Sequence, residues 1–197
     1  MSAPAIDVTG LVLAGGRGSR MGGVDKGLQS LDGEPLVAHA LRRLAPQVDR
    51  MMINANRHLD LYAGYRVPVW PDADTEFAGP LAGFLAGLAH AETDWLVTVP
   101  CDTPRFPLDF VARLQAAVGT ARAAVVVTEE EGRLQRQPVF CLLQRTLHAD
   151  LAAYLAEGGR KIDRWLDRVG CVDVRFDDAD AFVNANTLDE LRRLGDA

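Results

Sequence analysis

Near the start of the sequence, a glycine-rich stretch directly follows a short apolar run, as in a strand that ends in a loop. Residues 8–13 form the apolar run, and Ala14, Gly15 and Gly16 open a loop that extends to about Lys26. An apolar run of this length, bounded by turn-forming residues, is typical of a buried strand. Helical spacing of apolar residues over 36–44, just after Pro35, completes a first strand-loop-helix unit.

Apolar runs and helix-like patterns continue to alternate along the chain. Predicted strands span residues 8–13, 50–53, 66–70, 95–99, 123–128 and 139–143, and predicted helices span 36–44, 80–91, 108–118 and 147–155. Strands that alternate with helices favour a mostly parallel sheet covered on both faces. We therefore expect an α/β fold, and a chain of 197 residues fits one domain, 1–197.

Composition excludes several classes of function. The chain is 48% apolar and 24% charged, and its net charge of −6 gives no general attraction to nucleic acid. No apolar run approaches the roughly 18 residues that span a membrane, and the first six residues lack the pattern of a signal peptide. The three cysteines are odd in number and far apart, as expected for reduced thiols. We expect a cytoplasmic protein that binds neither nucleic acid nor membrane.

The glycine-rich loop combines exposed backbone amides with basic side chains, among them Arg17, Arg20 and Lys26. Glycine lets the main chain approach a polyphosphate closely, and amides and cations stabilise its charge. The G-x-G-x-x-G pattern does not fit, because Met21 replaces its last glycine. The Walker A pattern does not fit either, because the residue directly before Lys26 is not glycine. The alternative is a flexible turn whose charges face solvent.

Polar residues follow other predicted strands, where the ligands of open α/β sheets bind. Asp102 follows the strand at 95–99 and is a candidate ligand for Mg²⁺, although it could instead cap the next helix. Asn54 and Asp72 are candidates for binding a nucleotide, although such residues commonly form turns. Cys101 has no histidine near it in sequence, which disfavours a catalytic thiol.

The sequence does not decide the roles of three further segments. Small residues at 79–83 begin a helix, and they permit either approach of a planar base or tight helix packing. Arg160 and Lys161 suit an anionic second substrate or a solvated surface, and Asn186 or Thr187 could cap a final helix.

In order along the chain, these motifs resemble the molybdenum cofactor guanylyltransferases, within the Rossmann-like nucleotidyltransferases. The segments are residues 13–27 (Leu-Ala-Gly-Gly-Arg-Gly-Ser-Arg-Met-Gly-Gly-Val-Asp-Lys-Gly), 54–58 (Asn-Ala-Asn-Arg-His), 71–72 (Pro-Asp), 79–83 (Gly-Pro-Leu-Ala-Gly), 100–104 (Pro-Cys-Asp-Thr-Pro) and 182–187 (Phe-Val-Asn-Ala-Asn-Thr). The resemblance covers nearly the whole chain and implies a three-layer Rossmann-like sandwich of the nucleotidyltransferase type. Its phosphate loop departs from the paired arginines often found in the family, since a single arginine, Arg20, precedes Met21.

The resemblance also implies roles for individual residues. Lys26, Asp102 and Arg20 would be catalytic, and Asp102 would bind Mg²⁺. GTP would contact Leu13, Ala14, Gly15, Gly16, Lys26, Asn54, Asp72, Pro80, Leu81, Gly83 and Asp102. Molybdopterin would contact Arg160, Lys161, Asn184 and Asn186, so that the N-terminal half binds mainly GTP and the C-terminal part mainly molybdopterin.

The implied reaction transfers GMP from GTP to the terminal phosphate of molybdenum-molybdopterin and releases pyrophosphate. Its implied protein partners are molybdopterin-loading proteins and recipient molybdoenzymes, and we expect the chain to be a monomer. Three alternatives stay open: a molybdopterin cytidylyltransferase, a sugar-phosphate nucleotidyltransferase and a GTP-binding module without turnover.

Overall fold

The computed structural model describes residues 6–14, 25–73, 79–130 and 132–184. Its strands are β1 (Val8–Leu13), β2 (Ser30–Leu31), β3 (Glu34–Pro35), β4 (Arg50–Asn54), β5 (Val69–Trp70), β6 (Trp95–Pro100), β7 (Ala123–Glu130), β8 (Arg133–Gln144) and β9 (Val172–Phe176). Its helices are α1 (Leu36–Leu44), α2 (Leu59–Ala63), α3 (Pro80–His90), α4 (Phe110–Val118), α5 (His148–Ala156) and α6 (Ile162–Val169).

Seven strands form one sheet in the order β5-β4-β1-β6-β8-β7-β9, and β2 and β3 form a separate hairpin. β1 pairs in parallel with β4 and β6, β4 with β5, and β7 with β9. β8 is antiparallel to both of its neighbours, β6 and β7. The other six strands therefore point the same way, and the edge at which they end is called the carboxyl edge below.

Apolar side chains alternate between the two faces of the sheet, and helices cover both faces, so the fold has three layers. In β1, Val8 and Val12 belong to a buried cluster that includes residues of α1 and α4, whereas Leu11 belongs to a second cluster that includes residues of α3, α5 and α6. Each helix presents one apolar stripe to the sheet, as in α1, where Leu36, Val37, Ala40 and Leu44 are buried. The predicted α/β sandwich with a mostly parallel sheet is confirmed.

Several predicted elements differ from the observed ones. The strand predicted at 66–70 contains only Val69–Trp70, because Arg66 has a left-handed backbone (φ 59°) that breaks extended structure. The strand predicted at 139–143 begins earlier, at Arg133, and runs antiparallel. The β2–β3 hairpin, α2, α6 and β9 were not predicted. In the described ranges, none of the helices has both the length and the apolar character needed to cross a bilayer.

Candidate functional site

A lysine and an aspartate from distant parts of the chain meet at the carboxyl edge. Lys26 begins a short 3₁₀ turn, Lys26–Leu28, and Asp102 follows β6. The Lys26 Nζ atom lies 3.0 Å from Asp102 Oδ2, and these side chains are 28% and 14% exposed. The backbone next to Asp102 is held to the end of β1, since Cys101 N donates to Leu13 O at 3.0 Å. Two predicted catalytic residues are thus adjacent and partly shielded from water.

A second polar cluster lies at the ends of β4 and β5. Asn54 Nδ2 donates to Trp70 O at 3.0 Å and to Asp72 Oδ1 at 2.9 Å. Asn56 Nδ2 donates to Asp72 Oδ2 at 2.7 Å, and Asp72 N donates back to Asn56 Oδ1 at 2.8 Å. Asn54 is buried, whereas Asn56 is exposed. The structure therefore brings Asn54 and Asp72 together, and it adds Asn56, which lies in the candidate segment 54–58 but was assigned no contact of its own.

The start of α3 packs directly on this cluster. A Cβ atom added to Gly83 would lie 2.5 Å from both Asn54 Oδ1 and Leu13 Cδ2, so the glycine allows the helix to approach β1 and β4. The Leu81 side chain is buried in the core, and Pro80 is exposed at the helix start. Of the two roles expected for the small residues 79–83, Gly83 therefore has the second, which is tight packing of the helix. Ala14, likewise a predicted GTP contact, is buried, and its N donates to Asn54 O at 2.8 Å.

The predicted molybdopterin residues occupy two different places. Asn184 is exposed, and its Oδ1 accepts a hydrogen bond of 2.5 Å from Thr103, which is buried beside Asp102. Arg160 and Lys161 lie on the surface between α5 and α6, and Arg160 Nη1 donates to Leu155 O and Gly159 O at 2.9 and 2.7 Å. Asn184 thus lies close to the Lys26–Asp102 pair, and Arg160 contacts its own turn.

Some predicted residues lie outside the described residues. These are Gly15, Gly16, Arg20 and Asn186, together with Arg17 and Thr187 from the sequence argument.

A buried pair that sequence reasoning missed lies beside Lys26. The Tyr62 hydroxyl donates to Asp25 Oδ1 at 2.6 Å, and Gly27 N donates to the same oxygen at 3.2 Å. Tyr62 is fully buried and Asp25 is 8% exposed. Burial, followed by the hydrogen bond to Asp25, raises the pKa of the Tyr62 hydroxyl well above its usual range, so this group remains a proton donor. The only sequence signal was the position of Asp25, directly before Lys26.

The Cys101 thiol is adjacent to the site but unsuited to nucleophilic chemistry. Its side chain is buried, and burial followed by the charge of Asp102 raises its pKa well above the ordinary value. A thiol held neutral is a poor nucleophile. Among the described residues, no group of three or more His, Cys, Asp or Glu side chains could hold a metal ion.

A mostly parallel α/β sheet that brings a lysine and an aspartate together at its carboxyl edge is the arrangement expected of a nucleotidyltransferase, and the family comparison gives that class. The family described as "MobA-like NTP transferase domain" matches residues 10–170. The chain belongs to this family, and within it to the molybdenum cofactor guanylyltransferases.

Similar proteins cover almost the whole chain. The molybdenum cofactor guanylyltransferase of Bordetella petrii is 57% identical over 190 residues, which cover 95% of this chain and 97% of that protein. The one from Methylibium petroleiphilum is 58% identical over 193 residues and 95% of each chain. The crystal structure of molybdopterin-guanine dinucleotide biosynthesis protein A from Archaeoglobus fulgidus has a TM-score of 0.78 at 22% identity, covering 95% of this chain and 97% of that one. This last likeness shows the fold.

Proposed function

We infer that the protein transfers GMP from GTP to the terminal phosphate of molybdenum-molybdopterin, forming molybdopterin guanine dinucleotide cofactor and pyrophosphate. The observation that carries this inference is identity of 57% and 58% to two guanylyltransferases over nearly their full lengths. The contact between Lys26, which follows the glycine-rich segment in sequence, and Asp102 supports it independently, since nucleotidyl transfer needs charge stabilisation at a triphosphate.

In the proposed reaction, an oxygen of the molybdopterin phosphate forms a bond to the α-phosphorus of GTP. The bond from that phosphorus to the oxygen bridging it to the β-phosphate breaks, and pyrophosphate leaves with the electron pair. A phosphomonoester has a second pKa of about 6 and is largely deprotonated at neutral pH. The reaction therefore requires no general base, and the chain's task is to hold two anions in line.

Lys26 and the loop would offset the repulsion between these anions. The Lys26 ammonium is a compact charge with three donors, and it is 28% exposed, so it can reach a phosphate from its position beside Asp102. We propose that Arg20 adds a second charge to the triphosphate, and that Leu13, Ala14, Gly15 and Gly16 contact GTP.

Asp102 fits a Mg²⁺ site of the kind that phosphates complete. Mg²⁺ is commonly held by one or two carboxylates plus substrate phosphates, so a single carboxylate at the carboxyl edge suffices. Asp72 accepts hydrogen bonds at both carboxylate oxygens, and Asp25 is enclosed by Tyr62 and Gly27, which leaves Asp102 as the best-placed carboxylate of these three. When bound, Mg²⁺ would neutralise phosphate charge.

The cluster of Asn54, Asn56 and Asp72 is proposed to bind the nucleoside. Each carboxylate oxygen of Asp72 has one amide donor and keeps further acceptor capacity for a ribose hydroxyl or a guanine N–H. Pro80, Leu81 and Gly83 would border the guanine at the start of α3. The small size of Gly83 serves this arrangement by letting α3 approach Asn54.

The C-terminal part is proposed to bind molybdopterin. Asn184 accepts a hydrogen bond from Thr103, the residue after Asp102, which supports the approach of a second substrate from the Asn184 side of the Lys26–Asp102 pair. Arg160 and Lys161 supply positive charge on an exposed turn, and Asn186 is proposed with them. We propose one domain, 1–197, that works as a cytoplasmic monomer and exchanges cofactor with molybdopterin-loading proteins and recipient molybdoenzymes.

The test is pyrophosphate release by purified protein with Mg²⁺ and molybdenum-molybdopterin, comparing GTP, CTP, ATP and UTP at equal concentration. We expect release with GTP alone. A preference for CTP would keep the chemistry and change the product. Release only after addition of sugar phosphates would indicate a different acceptor, and GTP binding without release would indicate a binding module.

A further inference from the structure

Two buried side chains, Asp25 and Tyr62, hold the turn that carries Lys26 through hydrogen bonds. Asp25 immediately precedes the turn, and its Oδ1 accepts from Gly27 N inside the turn and from the Tyr62 hydroxyl at the end of a separate helix, α2. Gln29 N donates to Lys26 O at 3.0 Å and closes the turn. One carboxylate oxygen thus joins the backbone on either side of Lys26 to a fully buried tyrosine.

Packing leaves this anchor little freedom. A Cβ atom added to Gly27 would lie 2.5 Å from the Tyr62 hydroxyl and 3.3 Å from the Ala14 Cβ, so the turn lies directly against both. Dense packing around a buried ring restricts movement, and a hydrogen bond shielded from water is stronger than one exposed to it. Tyr62 itself is fully buried in the apolar core.

The anchor matters because Lys26 has a flexible side chain of four methylene groups that must meet a reacting phosphate. A long side chain loses considerable rotamer entropy when it is confined, and the cost is lower when its backbone is already fixed. Misplacement of a catalytic group by about 1 Å can reduce a rate by about 100-fold.

We propose that Tyr62 and Asp25 are positioning residues, which hold the Lys26 turn so that the ammonium group lies beside Asp102 and faces the triphosphate. The proposal rests on the proposed function and assigns a role to the missed buried pair. Neither residue touches substrate. Both act through Lys26, and their removal should therefore have no effect once Lys26 itself is removed.

The experiment is a double-mutant cycle with Tyr62→Phe and Lys26→Ala, measured by pyrophosphate release and by direct titration of GTP. Tyr62→Phe keeps the buried ring and removes only the hydroxyl. We expect kcat/KM to fall about 10- to 100-fold in the wild-type background and to change less than twofold in the Lys26→Ala background. GTP binding should weaken in the same pattern.

Tyr65→Phe is the matched control, since it removes a hydroxyl from a half-buried tyrosine three residues away, and it should leave kcat/KM unchanged. Gly27→Ala is the second variant, because its Cβ displaces the Tyr62 hydroxyl, and it should reproduce the loss. Wild-type rates in Tyr62→Phe, or an equal loss in both backgrounds, would overturn the proposal. If the wild type releases no pyrophosphate, the proposed function fails, and the GTP titrations still decide the positioning role.

Discussion

Replacing Gly83 by alanine separates the role of this glycine in packing from the general preference of helices for alanine. A Cβ atom at this position would lie 2.5 Å from Asn54 Oδ1 and from Leu13 Cδ2. Ordinary contacts begin near 3.4 Å, so α3 or its neighbours must move by about 1 Å. Asn54 cannot rotate away without losing its hydrogen bonds to Trp70 O and Asp72 Oδ1.

Two effects of opposite sign determine the change in stability. Helix propensity alone would stabilise the variant by up to about 1 kcal/mol. Overpacking a core of this kind costs about 1–3 kcal/mol, and the pinned Asn54 favours the upper half of that range. We expect a net loss of about 1–2 kcal/mol, which lowers Tm by about 2–8 °C for a chain of this size.

The same movement should disturb the nucleotide site. Displacing Asn54 should move Asp72, to which it donates, and cost GTP about one hydrogen bond to that carboxylate, about 1.5–3 kcal/mol, so GTP affinity should fall at least about tenfold. Thermal unfolding and GTP titration measure the two effects on the same sample.

Gly87→Ala is the matched control on the same helix. Its Cβ would lie 2.5 Å from Leu11 Cδ2 and 2.9 Å from Leu96 Cδ2, which are the ends of apolar side chains away from the polar cluster. It should lower Tm and leave GTP affinity unchanged. A higher Tm for Gly83→Ala, as propensity alone requires, would refute the contact argument, and an equal loss of GTP affinity in both variants would refute the link through Asn54.

Three further variants test other parts of the site and the core. Asp102→Asn keeps the shape of the side chain and removes its charge, so pyrophosphate release should fall by at least about 10²-fold. The free energy of unfolding should change by no more than about 1 kcal/mol. Normal turnover would exclude the metal role. Thr103→Val removes the hydrogen bond to Asn184 and should raise KM for molybdopterin without changing KM for GTP, and the reverse result would contradict the second-substrate assignment. Burial raises the pKa of the Cys171 thiol from 9.0 to about 12, so its contribution to stability is complete below pH 9 and decreases by up to about 1.4 kcal/mol per pH unit between 9 and 12. In urea unfolding, Cys171→Ala should therefore lose less stability than the wild type over that interval, and identical slopes would show that the thiol is not protected.

Two of the missed elements carried readable patterns. Ile162, Trp165, Leu166 and Val169 have helical spacing in α6, and Val172, Val174 and Phe176 alternate in β9. In both segments charged residues separate the apolar ones, which is the amphipathic pattern of a half-buried surface element. By contrast, α2 is a short helix whose one buried side chain, Tyr62, is hydrogen-bonded to Asp25, which lies far away along the chain.

The antiparallel direction of β8 was beyond sequence reasoning for a different reason. Its apolar pattern is the same in either direction, and direction is decided by which neighbours are available for pairing. β8 follows β7 across a turn at Gly132 (φ 76°), a conformation that suits glycine, and it forms a hairpin with β7 before pairing with β6. Where a predicted helix separates two strands, as between β1 and β4 or between β6 and β7, the common direction of the strands was predictable, because such a crossover returns the chain to the same direction.

The order of strands and helices, the loop that follows β1 and the candidates Lys26, Asp102, Asn54 and Asp72 are properties of local sequence. Hydrophobic periodicity and glycine placement operate over a few residues, and parallel strands carry their loops to one edge of the sheet. The 3.0 Å contact between Lys26 and Asp102, the burial of Asp25 under Tyr62 and the attachment of Asn184 to Thr103 were decided only by the tertiary structure. Each joins residues 37 to 81 positions apart, and a contact at that separation depends on how the whole sheet and its helices pack.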